Sequence, residues 1–404
     1  MSTADIPAYP FRRQVRFDPP QEWAQVRGRG PIVTVRLPSG DEAELVTRFD
    51  EARALLGDAR FTRYLPPQMA ARIAATEDGG IFARQSPTGL SMFEGEGHLR
   101  WRRLVSKSFT IRRVEEMRPR IERVADELVD SMIAAGPPAN IVSDIADQLP
   151  VQVLGDLLGV PESDRHKFRG WADAILSLTR YTKADADAAN AEIVGYFAQL
   201  IESKRAEPGG DLLSALLQVR GEDGSALETA EVVITAAALF IPGVETAANT
   251  IGKMMATLLA DRSRFQQVVD DPDIVGSAVE EVLRFDTNPS FGLPRFISED
   301  IVLGDQPVPQ GSTMIVSPAI ANNDPGKFPH PECMDLRRQN NQHLSFGAGP
   351  HFCMGAPLAR VVLQVVLGTL ARRLPSLRLA VKPDELELRL GLIVVGLKEV
   401  PVEW

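Results

Sequence analysis

Cysteine, tryptophan, tyrosine and histidine are all scarce here: 2, 4, 4 and 5 residues among 404. Two cysteines, Cys333 and Cys353, exclude a disulfide-dense secreted scaffold and fit a reducing compartment. They also fall short of a zinc centre, since the chain has no Cys-x-x-Cys and no histidine pair beside either thiol. Positive charge is in deficit. The 44 Lys and Arg against 54 Asp and Glu leave a net charge of −10, without the basic footprint a general nucleic-acid binder needs. The opening residues, MSTADIPAYPFRRQ, have no apolar core, so neither a signal peptide nor an anchor is expected there. The most apolar internal run, Val232–Val244, is too short to cross a bilayer and is followed by Glu245. The expectation is a cytoplasmic protein with neither membrane nor nucleic acid as a partner. Long low-complexity linkers are missing too. The Pro/Gly-rich breaks at Gly136–Pro138, Pro208–Gly210 and Pro307–Gly311 are short, so 1–404 reads as a single domain.

What the chain does have is apolar residues, 44% of the total, enough for a sizeable core. Residues 31–47 hold two β-branched runs around Pro-Ser-Gly-Asp and predict a hairpin. A helix pattern follows from Asp50 to Leu56. Residues 62–95 read as a long irregular loop of the kind that usually carries function. From His98 the pattern is mostly helical: 98–108, 111–135, 144–158, 162–179, 185–205, 211–219, 229–260, 263–269 and 273–285. Small strands are expected over 294–318, irregular chain over 319–345, a helix over 356–373 and a strand pair near 377–402. The fold class is mainly α with a small β part.

The chemistry concentrates in Phe346–Gly355, FGAGPHFCMG. Gly347, Gly349 and Gly355 let the backbone fold tightly around one sulfur. Amides at the start of the following helix would stabilise a Cys353 thiolate. A lone cysteine is more often a small buried hydrophobe, but the residues around this one are specific. A dinucleotide-binding Gly-x-G-x-x-Gly fails, because Phe352 stands at the third glycine. The stretch resembles the haem-ligand signature of the cytochrome P-450 family, Phe-Gly-x-Gly-x-His-x-Cys-x-Gly, at every fixed position.

The resemblance covers almost the whole chain. It implies a cytochrome P-450 fold with haem b between a central oxygen-binding helix and the C-terminal cysteine-loop helix. Cys353 is then the metal ligand, and Phe346 also contacts the cofactor. Glu281 and Arg284 match the family's Glu-x-x-Arg, joined by Arg338; by spacing alone they would be a solvated surface pair. In FIPGVETAAN, Glu245 and Thr246 match the acid–alcohol pair that relays protons to bound dioxygen. The bland alternative is a threonine bonded back to the Pro242 carbonyl; the two are compatible. Pro242 departs from the usual Ala or Gly. It leaves the Ala238 carbonyl without its i+4 donor and is expected to fix a kink. His98, Arg102, Arg295 and His351 match the propionate contacts, each of which would otherwise pass for surface charge. The Asp-Pro-Pro-Glu usual before the histidine is replaced by Glu94-Gly95-Glu96-Gly97. His343 reads as structural.

The implied activity is a monooxygenase that hydroxylates or epoxidises a medium-sized, largely apolar secondary metabolite. Substrate contacts are expected from Phe240, Pro242, Asn288, Ser290, Phe291, Leu293, Ile393 and Val394. Electrons would come from ferredoxin and ferredoxin reductase. Arg103, Lys107, Arg112, Arg113 and Arg360 offer a docking patch or, equally, a solvated face. Two further readings stay open: oxidative coupling of aromatic peptide-derived substrates at the same haem, and a non-catalytic haem-binding protein.

Overall fold

The computed structural model describes residues 6–11, 19–63, 71–72, 94–176, 181–286, 291–303, 305–389 and 394–404. In chain order the first elements are α1 (Gln21–Arg29), β1 (Ile32–Arg36), β2 (Glu42–Val46), α2 (Phe49–Gly57) and β3 (Phe61–Thr62). A helical series follows: α3 (Gly95–Ser108), α4 (Ile111–Ala135), the two-residue β4 (Ala139–Asn140), α5 (Leu149–Leu158), α6 (Lys167–Leu176), α7 (Lys183–Ala206), α8 (Leu212–Gln218), α9 (Thr229–Ala260), α10 (Arg262–Asp270) and α11 (Val275–Phe285). Then come β5 (Leu293–Ile297), β6 (Ile301–Leu303), β7 (Gln306–Val308), β8 (Thr313–Val316), α12 (Pro318–Ala321) and α13 (Ala356–Arg373). Short strands close the chain: β9 (Arg378–Leu379), β10 (Leu388–Arg389), β11 (Gly396–Leu397) and β12 (Pro401–Glu403).

The chain divides into two compact units, Met1–Gly89 with Glu280–Cys353, and Leu90–Val279 with Met354–Trp404. In the first, five strands are ordered β1-β2-β8-β5-β3. The expected hairpin is β1–β2, antiparallel, with Ile32 opposite Val46 and Arg36 opposite Glu42. Alternation along the strands gives the sheet two buried faces. Val46, Met314 and Val316 join Phe49, Leu55, Phe61 and Phe328 in one cluster. Leu45 and Ile315 join Tyr9, Trp23 and Phe291 in the other.

The second unit is built around α9. This helix is long and apolar enough to cross a membrane, but it is mostly buried. Helices α5, α6, α7, α10 and α13 pack around it, as befits an apolar helix with no polar face. The Thr110 hydroxyl caps α4 by accepting from the Arg113 N–H at 3.2 Å.

Two prolines lie inside helices, Pro119 in α4 and Pro242 in α9, and neither ends its helix. Both sit at exposed positions, as do Glu115 and Ala238 four residues earlier. A carbonyl deprived of its donor there can still be solvated, which lowers the penalty. The kink expected at Pro242 falls inside one continuous helix, Thr229–Ala260. Elsewhere the expected helix over 144–158 divides into a π-helical turn, Val142–Ala146, and α5, which has Pro150 in its first turn. Of the expected 62–95 loop, residues 64–70 and 73–93 lie outside the described residues.

Candidate functional site

The cysteine loop folds back on itself in the first unit. The Cys353 N–H donates to the Phe346 carbonyl at 2.9 Å, and the Gly347 N–H to Leu344 O at 2.8 Å. Gly347 and Gly349 take positive φ, +72° and +69°. At Gly349 a Cβ would lie 2.4 Å from Leu56 O and 2.6 Å from Gly57 Cα, so the loop can rest on α2 only with glycine there. His351 sits half-buried in a single 3₁₀ turn, Gly349–His351. Phe346 stands between the rings of His343 and Phe352, 6.0 and 6.4 Å away centroid to centroid. Neither Cys333 nor Cys353 is disulfide-bonded, and Cys353 is exposed.

A chain of bonds links this loop to α11. Glu281 and Arg284 have no exposed side-chain surface and form a bidentate pair at 2.8 and 2.9 Å. The same carboxylate accepts from Arg338 Nε at 3.0 Å, from the Asp335 N–H at 2.9 Å and from Asn341 Nδ2 at 3.0 Å. Arg284 also donates to Asn322 O at 2.9 Å. Asn322 in turn accepts the Leu344 N–H at 2.7 Å and donates to Ser345 Oγ at 3.0 Å. Two buried charges are tolerable because nearly every lone pair and N–H has a partner. His343 pairs with Glu280 at 3.2 Å and accepts the Ser345 N–H, in keeping with a structural role.

In the second unit α9 presents an accessible strip within an otherwise buried stretch. Ala238 and Pro242 are exposed, and Leu239, Thr246 and Ala247 half-buried, while Phe240, Ile241, Val244, Glu245 and Ala248 are buried. Positions 238, 242 and 246 stack along one helix face. The Thr246 hydroxyl donates to Pro242 O at 2.6 Å, the back-bond expected from the sequence. Gly243 lets α5 approach, since a Cβ there would meet Leu154 Cδ1 at 2.7 Å.

Glu245 is in a different setting. Its carboxylate accepts from Asn249 Nδ2 at 3.1 Å and from Arg389 Nη1 at 3.4 Å. Arg389 also donates to Asp173 of α6. Burial pushes the Glu245 carboxyl above the ordinary carboxylate range, and the Arg389 guanidinium opposes that shift. Sequence reading did not find Asp173, Asn249 or Arg389 as partners. Only Asn249, four residues after Glu245 on the same helix, left a signal that could have been read.

His98 lies buried in α3, its ring stacked 5.6 Å from Trp101, with half-buried Arg102 one turn later. That helix is tied to α9 by Arg100–Glu231 at 2.8 Å and by Trp101 Nε1 to Thr235 Oγ1 at 2.7 Å. Arg295 is buried in β5, where its Nη1 donates to Pro294 O at 2.8 Å.

The expected substrate contacts separate. Phe240 is wholly buried, its ring 4.0 Å from Phe168 and 6.3 Å from Phe197, so its side chain serves packing within this unit. Phe291 is buried edge-on against Tyr9 at 5.5 Å, and the Tyr9 hydroxyl bonds its carbonyl. Val394 is buried too, its carbonyl 3.4 Å from Asn249 Nδ2. These three were expected to offer apolar surface, and packing has used it. Pro242 and Leu293 keep accessible surface. Asn288, Ser290 and Ile393 lie outside the described residues.

A family description, Cytochrome P450, matches residues 266–394. Mycinamicin IV hydroxylase/epoxidase of Micromonospora griseorubida is 38% identical over 409 residues, covering 100% of both chains. The chain belongs to the cytochrome P450 family. Nocardicin C N-oxygenase of Nocardia uniformis subsp. tsuyamanensis is likewise 38% identical, over 408 residues and 100% of both chains. Cytochrome P450 monooxygenase PikC of Streptomyces venezuelae is 39% identical, covering 96% of this chain and 91% of PikC. The crystal structure of CYP105P1 with filipin I superposes at a TM-score of 0.91, with 36% identity and 99% of each chain covered. The fold is therefore that of the P450s, helical with a minor sheet part, and the protein is a haem-thiolate monooxygenase.

The residues of this P450 suit haem b. A single exposed cysteine in a glycine-shaped loop offers a soft sulfur donor for iron. Arg295, Arg102, His98 and His351 have the donors that carboxylates select. The strip of small and apolar side chains on α9 suits a flat apolar face.

Proposed function

We propose that this P450 inserts one oxygen atom into a medium-sized, largely apolar secondary metabolite of macrolide type. The accessible strip on α9 carries the proposal: Ala238, Pro242 and Thr246 keep accessible surface on one face of a helix that is mostly buried. Names of relatives support the substrate class, among them the mycinamicin IV enzyme and 6-deoxyerythronolide B hydroxylase of Saccharopolyspora erythraea. Cys353 is proposed to hold the haem iron through its thiolate, Phe346 to contact the cofactor, and His98, Arg102, Arg295 and His351 to bind its propionates. When bound, the haem iron supplies oxygen activation, and sulfur donation favours O–O cleavage.

The chain's own share is orientation and protons. Glu245 holds and supplies a proton, and the Thr246 hydroxyl, anchored on Pro242 O, orients the last donor in the relay. Pro242, Leu293, Asn288, Ser290 and Ile393 are proposed as substrate contacts; of these Pro242 and Leu293 keep accessible surface. Alignment of the relatives over the full chain supports treating 1–404 as one functional domain.

Electrons are proposed to come from a ferredoxin and its reductase in the cytoplasm. Exposed Lys107 and Arg112 and half-buried Arg113 line a groove with Thr110 and Met117. Beside it Ile111 is 70% exposed, an apolar centre of the kind that docking surfaces carry.

A carbon-monoxide difference spectrum tests the ligand: a thiolate-type peak that is lost in Cys353→Ser is expected, and a histidine-type peak would refute it. A panel of macrolides, terpenoids and aromatic peptides screened by the low-to-high-spin Soret shift tests the substrate class. The product should gain one oxygen. Loss of hydrogens or a dimer would identify oxidative coupling instead.

A further inference from the structure

Glu245 is the inner end of a chain of alternating charges. Arg389 of β10 reaches it with Nη1 and reaches Asp173 of α6 with Nη2. Arg169, one turn before Asp173, pairs with Asp147. Side-chain exposure is 38% at Arg169, 15% at Asp173, 20% at Arg389 and 4% at Glu245, so the carboxyl is the most buried of the four. The C-terminal hairpin makes the arrangement possible. Arg389 is the cross-strand partner of Gly396. A Cβ on Gly396 would lie 1.9 Å from Asn249 Oδ1, so a bare backbone at this site seats the Asn249 amide. One cross-strand pair thereby delivers both groups that hold the Glu245 carboxylate: Arg389 directly, and Asn249 through the space left at Gly396.

We propose that Arg389, braced by Asp173, is the positioning residue for Glu245, holding its carboxyl in place as a proton donor for the reaction. The inference rests on the monooxygenase reading. In each turnover dioxygen, two electrons from the separate donor and two protons become one oxygen in product and one water. Glu245 gives up a proton and recovers one from solvent, while the Arg389 guanidinium stays protonated throughout, so the cluster returns to its starting charge. The groups facing the carboxyl are Arg389 from the hairpin, Asp173 and Arg169 from α6, Asp147 beyond them, and Asn249 on its own helix. Without Arg389 the carboxyl stays buried and loses its cation, so its proton should be held to higher pH.

The test compares holoenzyme of Arg389→Ala, Arg389→Lys, Asp173→Asn, Glu245→Gln and the double variant Glu245→Gln/Arg389→Ala. Turnover driven by reductant should fall about tenfold or more in Arg389→Ala, with electrons diverted to peroxide or water. Turnover driven by added hydrogen peroxide, which brings its own electrons and protons, should stay near wild type. Arg389→Lys should recover most of the loss, and the double variant should be no worse than Glu245→Gln alone. Difference infrared titration, wild type minus Glu245→Gln, should place the carboxyl transition at higher pH once Arg389 is removed. Equal losses in both modes, losses additive with Glu245→Gln, or an unmoved titration would make Arg389 merely structural and overturn the proposal. Should Arg389→Ala fail to fold, Asp173→Asn keeps the shape, removes the brace and must show the same selective loss. Absence of the thiolate spectrum in the wild-type protein would instead overturn the monooxygenase reading beneath it.

Discussion

At residue scale the proposed proton relay turns on two neighbours with opposite settings, Glu245 buried and Thr246 half-buried. A buried carboxyl keeps its proton to higher pH than an exposed glutamate. Its donor form is lost as pH rises through that raised value, so turnover should decline on the alkaline side. Glu245→Gln should flatten that limb, read from a pH profile of coupled product formation. The same group binds a proton more readily folded than unfolded, so its contribution to stability falls as pH rises from the ordinary glutamate value through the raised one. Pro242 leaves the Ala238 carbonyl without an intrahelical donor. Pro242→Ala should restore that bond, raising stability by up to about 3 kcal/mol in thermal unfolding. It should also loosen the groove. Unchanged coupling and product profile would show that the proline does not shape the choice of substrate pose.

At the scale of elements, α11 and the segment that follows it act as one piece. Removing Arg284 leaves the Glu281 carboxylate buried with Arg338 as its one remaining cationic partner among the described residues. Arg284→Ala should cost about 3–5 kcal/mol and prevent stable haem incorporation, measured by denaturant unfolding and the Soret-to-protein absorbance ratio. Arg284→Lys should rescue little, because an ammonium cannot reproduce the bidentate fork and the bond to Asn322 together. This element was readable in advance: Glu281, Arg284 and Arg338 stand at family positions, and α4, α9 and α13 carry long apolar periods whose ends agree with the structure. The short α1 was not, because only Trp23 and Val26 of its nine residues are buried, too few for a periodic signal. The cluster around Glu245 was equally hidden. Asp173 and Arg389 are 216 positions apart, and nothing local about either announces the other.

For the whole molecule, the net charge of −10 makes a local basic groove the more noticeable. Reversing Arg112 and Arg113 to glutamate should slow reduction by an acidic ferredoxin several-fold, and the wild-type rate should fall as salt rises. Substrate-induced Soret shifts should be unchanged, which separates docking from binding. Phe240, Phe291 and Val394 mark where sequence reading reached its limit: composition tells that a residue is apolar, and only packing tells whether its surface remains for a ligand. The bonds that secure the cysteine loop run through Glu281, Arg284, Asn322, Arg338 and Ser345, and none of those named involves α6, α7 or the C-terminal hairpin. That separation has an evolutionary consequence. Selection can rewrite α6, α7 and the hairpin around Asp173 and Arg389 without disturbing the bonds that secure the cysteine loop, so specificity can drift while that loop is inherited intact.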